Sequence, residues 1–373
     1  MKNNKIITYF FLFGRLKRIN DEKPYPVEMF YGYQYLKSKF LNVSIIEAEP
    51  TAIRTFIQNN IEHRIGHILK IPILFSYFTS IKNYLIIRKS DILIFSNHRA
   101  LISSYPMLLV NKLFGKSFVS IVFFMGLLNK FPKNVFLYKF KIYFIKNILK
   151  FSSKIYFLNK AELVIANELF PEFENIFEYY PFSVDLDFWK NKNQIKSNDV
   201  LFIGNDGQRN YEIVIDLVNK LPNTSFTIVS KFIDKNKIKN KHCKIIEGSW
   251  DGSLLSDLDI LDLYNKSKVT IIPLKDSLQP SGQSVALQSM ACGTPVIISK
   301  TKGFWDNENL IDNKNIFLIS NNNLKNWIEN INLVLNFSNE KYNSYSSSCE
   351  AIVNQQYSMD NINFKLENFI NNL

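Results

Sequence analysis

Short apolar runs alternate with longer stretches of mixed polarity along most of the chain, and the runs are rich in Ile, Val and Phe. Such runs read as strands buried on both faces, and the amphipathic stretches between them read as helices. Residues 6–13 (IITYFFLF) form a first strand, followed by a loop with Gly14, Arg15 and Arg18. A helix is expected over 25–39 after Pro26, a strand at NVSIIEAE, and helical structure through 51–90. DILIFSNH (91–98) reads as a strand with a polar end, and a helix follows from about Tyr105 to Leu113. SFVSIVFF is the next strand, helices fill most of 134–153, and LVIAN (163–167) is a short strand. From Tyr180 the chain becomes polar and turn-rich with no clear period, as linkers do. Alternation then restarts: VLFIGN, a helix over 209–220, TSFTIVSK, CKIIEG, a helix near 258–265, VTIIPL, a helix ending at Gly293, VIIS and NIFLIS. Helices are expected over 322–337 and 346–373. The pattern predicts an α/β protein of two doubly wound, Rossmann-like domains facing a cleft. The boundaries are 1–185, a linker at 186–199, a second domain at 200–345 and terminal helices at 346–373.

The most informative stretch runs from Val269 to Asp306: strand, turn-rich loop, helix and strand, a βαβ unit with parallel strands. Val285, Ala286, Leu287, Met290 and Ala291 make its helix apolar almost all round. Ser281, Ser284 and Gln288 fall at i, i+3, i+7 and form one polar stripe from the N-terminus. Unpaired N–H groups and the positive end of the helix dipole suit that end to a phosphate. A capped packing helix that tolerates a few polar residues is an equal reading.

Composition narrows the options. At 373 residues, with 46% hydrophobic and 14% aromatic residues, the chain is a folded protein of more than one core. Cys243, Cys292 and Cys349 have no metal-type spacing and point to a reducing compartment. His63 and His67 stand at i, i+4, but Arg64 follows His63 where a metalloprotease would carry glutamate, so no metal site is expected. Residues 1–185 hold 25 Lys and Arg against 13 Asp and Glu, whereas the remainder is balanced. Between Asp91 and Glu162 eleven basic residues interleave with aromatics and no acidic residue intervenes. An anionic membrane surface, a nucleic-acid groove and a compositional bias towards Lys, Asn, Ile and Phe all fit, and the membrane surface is favoured over nucleic acid. No run reaches the length of a membrane span. The N-terminus has a basic start and a short apolar stretch, but it lacks a small-residue cleavage site and reads as a buried strand.

Three motifs resemble the nucleotide-sugar glycosyltransferases of the two-domain GT-B fold, in particular the large, mostly retaining bacterial group 1 family. Residues 288–297 (QSMACGTPVI) are similar to the family's E-A-M-A-C-G-T-P-V-I, and residues 181–185 (PFSVD) to its P-N-G-V-D signature. The stretch EGSWDGSLLSDLDILDLYNKSKVTIIPL resembles the family's passage from its third to its fourth C-domain strand. The likeness covers about residues 180–300. It implies transfer of a sugar from a nucleotide diphosphate sugar to a glycan or lipid-linked acceptor in surface polysaccharide synthesis, without metal or other cofactor. It also implies a cytoplasmic protein, peripheral on the inner membrane face, with an acceptor-side first domain and a donor-binding second one. Where the family carries two glutamates this chain has Pro280 and Gln288, and the strand-end histidine of the family falls near Phe124 or Met125. On this resemblance Arg209, the Gly282–Gln283–Ser284 backbone and the Ser284 hydroxyl bind the diphosphate, where charge develops on the leaving group. Gln288 binds the ribose and Trp250 stacks on the base. His98 and Glu28 are the catalytic candidates. A GT-B epimerase and a non-catalytic sugar-nucleotide or polyanion binder remain open. Neither a dinucleotide-type glycine pattern nor a P-loop is present, so dehydrogenase and kinase readings lack support.

Overall fold

The apolar runs of the first half pair as six parallel strands: β1 (Asn3–Phe11), β2 (Phe40–Glu47), β3 (Ile92–Phe95), β4 (Val119–Phe124), β5 (Lys154–Phe157) and β6 (Phe177–Tyr179). A computed structural model describes residues 3–21, 23–248 and 255–373. The strand order is β2-β1-β3-β4-β5-β6. One face buries Phe10, Leu93, Phe95, Val122, Phe124, Ile155 and Phe157 beneath helices that supply Leu101, Leu108, Ile145 and Ile148. Burial on both faces explains why these strands read as continuous apolar runs rather than as alternation.

The second half repeats the architecture with β7 (Asn198–Ile203), β8 (Phe226–Val229), β9 (Cys243–Ile246), β10 (Ser267–Ile272), β11 (Val296–Ser299) and β12 (Phe317–Ile319). All are parallel, in the order β12-β11-β10-β7-β8-β9. The order reverses between β10 and β7, so the loops at their carboxyl ends diverge and leave room for a ligand. The expected fold class, two doubly wound parallel sheets followed by helices, is the one found.

Chain contacts divide the protein into Met1–Glu22, Phe30–Pro181 and Leu366–Leu373 on one side, and Lys23–Met29 and Phe182–Lys365 on the other. The stretch expected as a linker packs on the second unit. The Val184 N–H donates to the Tyr357 carbonyl at 2.7 Å, Trp189 is buried, and the Lys192 N–H donates to Asn265 Oδ1 at 2.6 Å.

Several local expectations are corrected. The helix expected over 25–39 is a 3-10 turn (Glu28–Phe30) and a helix (Tyr33–Lys39), separated by left-handed Tyr31 (φ 49°) and Gly32 (φ 80°). LVIAN is helical, within Lys160–Leu169, and the strand is the preceding KIYF. An apolar run of five cannot separate strand from helix. The deciding signal is Asn159, which caps the helix by accepting the Glu162 N–H at 2.7 Å. The helix placed from Tyr105 begins at His98, with Asn97 as its cap, and Pro106 lies inside it. A proline that looks like a first helical residue has instead removed one interior hydrogen bond. Among the described residues no helix is long and apolar enough to cross a membrane.

Candidate functional site

The second unit gathers most of the candidates at the divergence between β7 and β10. The loop after β7, Gly204 to Asn210, is stitched to the end of β10. Arg209 bridges to Leu274, the Asn210 N–H donates to the Pro273 carbonyl at 2.9 Å, and the Lys275 N–H to the Gln208 carbonyl at 2.8 Å. Arg209 folds back over Gly204, where an added Cβ would lie 2.6 Å from the arginine Nε and would displace that side chain. The guanidinium is buried and lies 3.3 Å from Asp206, and its Nε and Nη1 make no hydrogen bond. Burial lowers its basicity and nearby Asp206 opposes that effect. A buried cation with unmet donors is unusual in a purely structural role, because each unmet donor has lost its water.

The same loops lead to the helix Gln283–Ala291. It starts at Gly282, left-handed at φ 83°, where a Cβ would come within 2.8 Å of Ile272 Cγ2. No side chain caps this N-terminus. Gln283 is buried and Ser284 half-buried, and the helix ends as expected with Gly293 left-handed just past its cap. Gln208 Nε2 reaches Gln279 Oε1 at 3.4 Å and links the two loops.

Deeper in the unit lies a polar chain that connects residues far apart in sequence. Gln288 Oε1 accepts from the Tyr264 hydroxyl at 3.2 Å, and Gln288 Nε2 donates to Glu28 Oε1 at 2.8 Å. Trp189 Nε1 donates to the same Glu28 oxygen at 2.8 Å. Glu28 Oε2 is buried and unpartnered, and burial pushes this carboxyl up to about 7. Tyr264 is held well above its ordinary phenol range by burial, with Arg209 acting in the opposite direction and Glu28 adding to it. Arg209, Tyr264, Gln288 and Glu28 therefore lie in one electrostatic neighbourhood. Asp185 of the PFSVD motif brings Glu28 here, because its Oδ2 accepts the Val27 N–H at 3.0 Å while its Oδ1 accepts from Asp187 and Phe188.

His98 belongs to the first unit and starts a helix rather than ending a strand. Its Nδ1 accepts the Met125 N–H at 3.4 Å, its ring meets Phe124 edge-on, and burial drives its pKa down to about 3. It is therefore neutral near pH 7, with the proton on Nε2. Two neighbours that the sequence did not reveal hold the same loop after β4. Glu162 accepts from the Gly126 and Leu128 N–H groups at 2.6 and 2.9 Å. Lys141 donates to the Lys70, Leu127 and Lys130 carbonyls at 2.9, 3.0 and 2.6 Å. Lys141 was expected on the basic surface; it is fully buried, and its ammonium serves this loop. Trp250 lies outside the described residues. Among the described residues no three His, Cys, Asp or Glu side chains converge on a metal site.

Residues 197–336 match the model of the family described as glycosyl transferases group 1. Solved structures share the whole fold. HepE of Anabaena, in complex with UDP and glucose, superposes with a TM-score of 0.67 at 15% identity, over 98% of this chain and 99% of that one. A glycosyltransferase from Rickettsia africae gives 0.67 at 15% identity, over 98% of each chain. Sucrose-phosphate synthase from Thermosynechococcus elongatus gives 0.70 at 10% identity, over 99% of each. This chain has the GT-B fold, and its residues 197–336 are similar to the group 1 glycosyl transferases. No curated protein matches its sequence. The matched stretch runs from β7 to the helix Leu324–Leu335, and every described donor-side candidate, Arg209, Gly282, Gln283, Ser284 and Gln288, lies within it. Glu28 lies outside that range and reaches the second unit through the segment Lys23–Met29.

Proposed function

We propose that the protein transfers a sugar from a nucleotide diphosphate sugar to a glycan or lipid-linked acceptor in surface polysaccharide synthesis. The buried Arg209 carries this reading, because its Nε and Nη1 make no hydrogen bond, Nη1 facing only Asp206 at 3.3 Å, at the carboxyl edge of a doubly wound sheet. A diphosphate would satisfy both donors, and the uncapped N-terminus of Gln283–Ala291 would supply further N–H groups. These groups stabilise charge that grows on the leaving diphosphate as the glycosidic bond breaks. A structural neighbour supports the donor class, since HepE was solved with UDP-glucose. Glu28 Oε2 is the open acceptor for a hydroxyl of the donor. Gln288, whose amide already serves Tyr264 and Glu28, holds that carboxylate in place and retains one N–H for the ribose. Trp250 remains proposed as the base-stacking residue. His98 acts on the acceptor side as a neutral hydrogen-bond donor, because its Nδ1 lone pair is committed to Met125.

Gln288→Ala is expected to weaken nucleoside diphosphate binding by about 1–3 kcal/mol while the protein remains folded. Calorimetry showing unchanged affinity contradicts the role. Incubation with a panel of nucleotide sugars, with and without membrane lipid extract, tests the reaction. Free nucleoside diphosphate appearing only with lipid is expected. An altered sugar without release would mean epimerisation, and stabilisation without turnover would mean a binder. The basic, aromatic surface between Arg99 and Lys160 supports placement on the anionic inner face of the cell membrane, with Lys139 and Lys150 exposed.

A further inference from the structure

The surface of the first unit contains a helical segment that turns its large apolar side chains to solvent. Residues 52–69 run as an α-helix (Ala52–Ile57), a π-helical turn (Gln58–Glu62) and a second α-helix (His63–Leu69). Its one carboxylate, Glu62, points inward and is buried, accepting from the Ser76 N–H at 2.7 Å and the Ser76 hydroxyl at 3.0 Å. Its large apolar side chains point outward: Ile53, Phe56, Ile61, Ile65 and Ile68 are between 45% and 76% exposed. Asn59, Asn60, His63, Arg64 and His67 are exposed as well, so the outward side carries large apolar side chains among polar and basic ones, as an interfacial amphipathic helix does.

The π turn keeps these five residues in register. Ile53 and Phe56 are three apart, and Ile61, Ile65 and Ile68 follow at spacings of four and three, all same-face intervals on an α-helix. Phe56 and Ile61 are five apart, an interval that an α-helix would rotate off the stripe. One turn of i→i+5 bonding absorbs the extra residue and returns Ile61 to the same side. The segment's far end is fixed by left-handed Lys70, whose carbonyl accepts from Lys141 Nζ of the neighbouring helix Val135–Leu149. That helix also shows Phe136, Phe140 and Tyr143 to solvent, beside exposed Lys139 and Lys150.

Charge selects the occupant. Between residues 52 and 161 the chain has seventeen Lys and Arg and only two carboxylates. Glu62 is buried, and Asp91 accepts the Ile6 N–H at 2.9 Å at the start of β1. Asp91 is nevertheless exposed, and Glu49 just before the segment pairs with Arg54 at 2.9 Å, so the surface is cation-rich rather than free of carboxylates. An apolar stripe on such a surface complements an anionic bilayer, whose headgroups meet the cations while its acyl boundary receives the isoleucines. We propose that residues 52–69 are a membrane-seated helix whose Ile53–Phe56–Ile61–Ile65–Ile68 face enters the interface of an anionic membrane. The inference rests on the membrane placement proposed above and is independent of the donor chemistry.

Flotation of the full-length protein with vesicles of phosphatidylcholine, with and without phosphatidylglycerol, tests it. The protein is expected to float with the anionic vesicles, and the pair Ile61→Asp and Ile65→Asp to lower partition at least about tenfold. The same pair should leave the thermal shift given by a nucleoside diphosphate unchanged, which shows that the fold is intact. Ile65→Trp should add fluorescence that acyl-chain-brominated lipid quenches. Flotation of the aspartate pair equal to wild type, or an unquenched Trp, overturns the seated helix while leaving an electrostatic membrane contact standing. A wild type that ignores both vesicles overturns both. Concentration-dependent dimerisation abolished by the aspartate pair would make a second copy the occupant, and would overturn the proposal equally.

Discussion

Arg209→Ala is expected to lower affinity for a nucleoside diphosphate by about 3 kcal/mol, on the order of a hundredfold, while affinity for the matching nucleoside changes little. The guanidinium has two buried donors without hydrogen bonds, and phosphate oxygens are the ligand atoms that would meet them with charge assistance. The fold should survive the substitution. Burial already disfavours the charged guanidinium, and its ion-pair partner Asp206 is partly exposed, so removing the cation does not strand a buried carboxylate. Arg209→Lys should not restore binding, since a single ammonium cannot reproduce the planar fork that Nε and Nη1 present. Calorimetry with the diphosphate and the nucleoside decides the matter. Equal losses for the two ligands would show that Arg209 shapes the loop rather than holding phosphate.

The arrangement around Arg209 was legible in the sequence because the elements that build it are local. VTIIPL and VIIS are buried parallel strands that announce themselves as apolar runs, and Gly282 and Gly293 bracket the helix between them. The reversal of strand order between β10 and β7, which brings Arg209 to Leu274, follows from doubly wound topology. What the sequence hid is long-range. Gln288 lies on the expected helix, but Ser281 of the expected polar stripe precedes it, and the partner of Gln288, Glu28, is 260 positions away, next to Val27, whose N–H donates to Asp185. Lys141 lies in a run of basic and aromatic residues that looks like surface, and no periodicity reveals that its ammonium finds three carbonyls in the interior. The outward isoleucines of 52–69 were unreadable for a related reason. In a one-dimensional pattern they are indistinguishable from core, and only the inward bonds of Glu62 to Ser76 show which way the helix faces.

Glu28 gives a pH signature that follows from the same burial. Its carboxyl is raised from the ordinary glutamate range to about 7, chiefly because burial penalises the charged form; the hydrogen bonds from Gln288 and Trp189 pull it back down only in part, and Asp185 adds to the rise. In the unfolded chain the same group titrates near the ordinary value, so between about 4.5 and 7 the folded state holds the proton that the unfolded state has lost. The stabilisation is therefore complete below about 4.5 and disappears as pH rises through 7, on the order of 3 kcal/mol across the window. Glu28→Gln should abolish this dependence. The amide oxygen can still accept from Trp189 and Gln288, and no charge must be buried at any pH. The wild type should thus unfold at lower denaturant than the variant at pH 8, with the gap closing towards pH 5. Urea unfolding at the two pH values measures it, and a gap that stays constant would mean that Glu28 is ionised throughout.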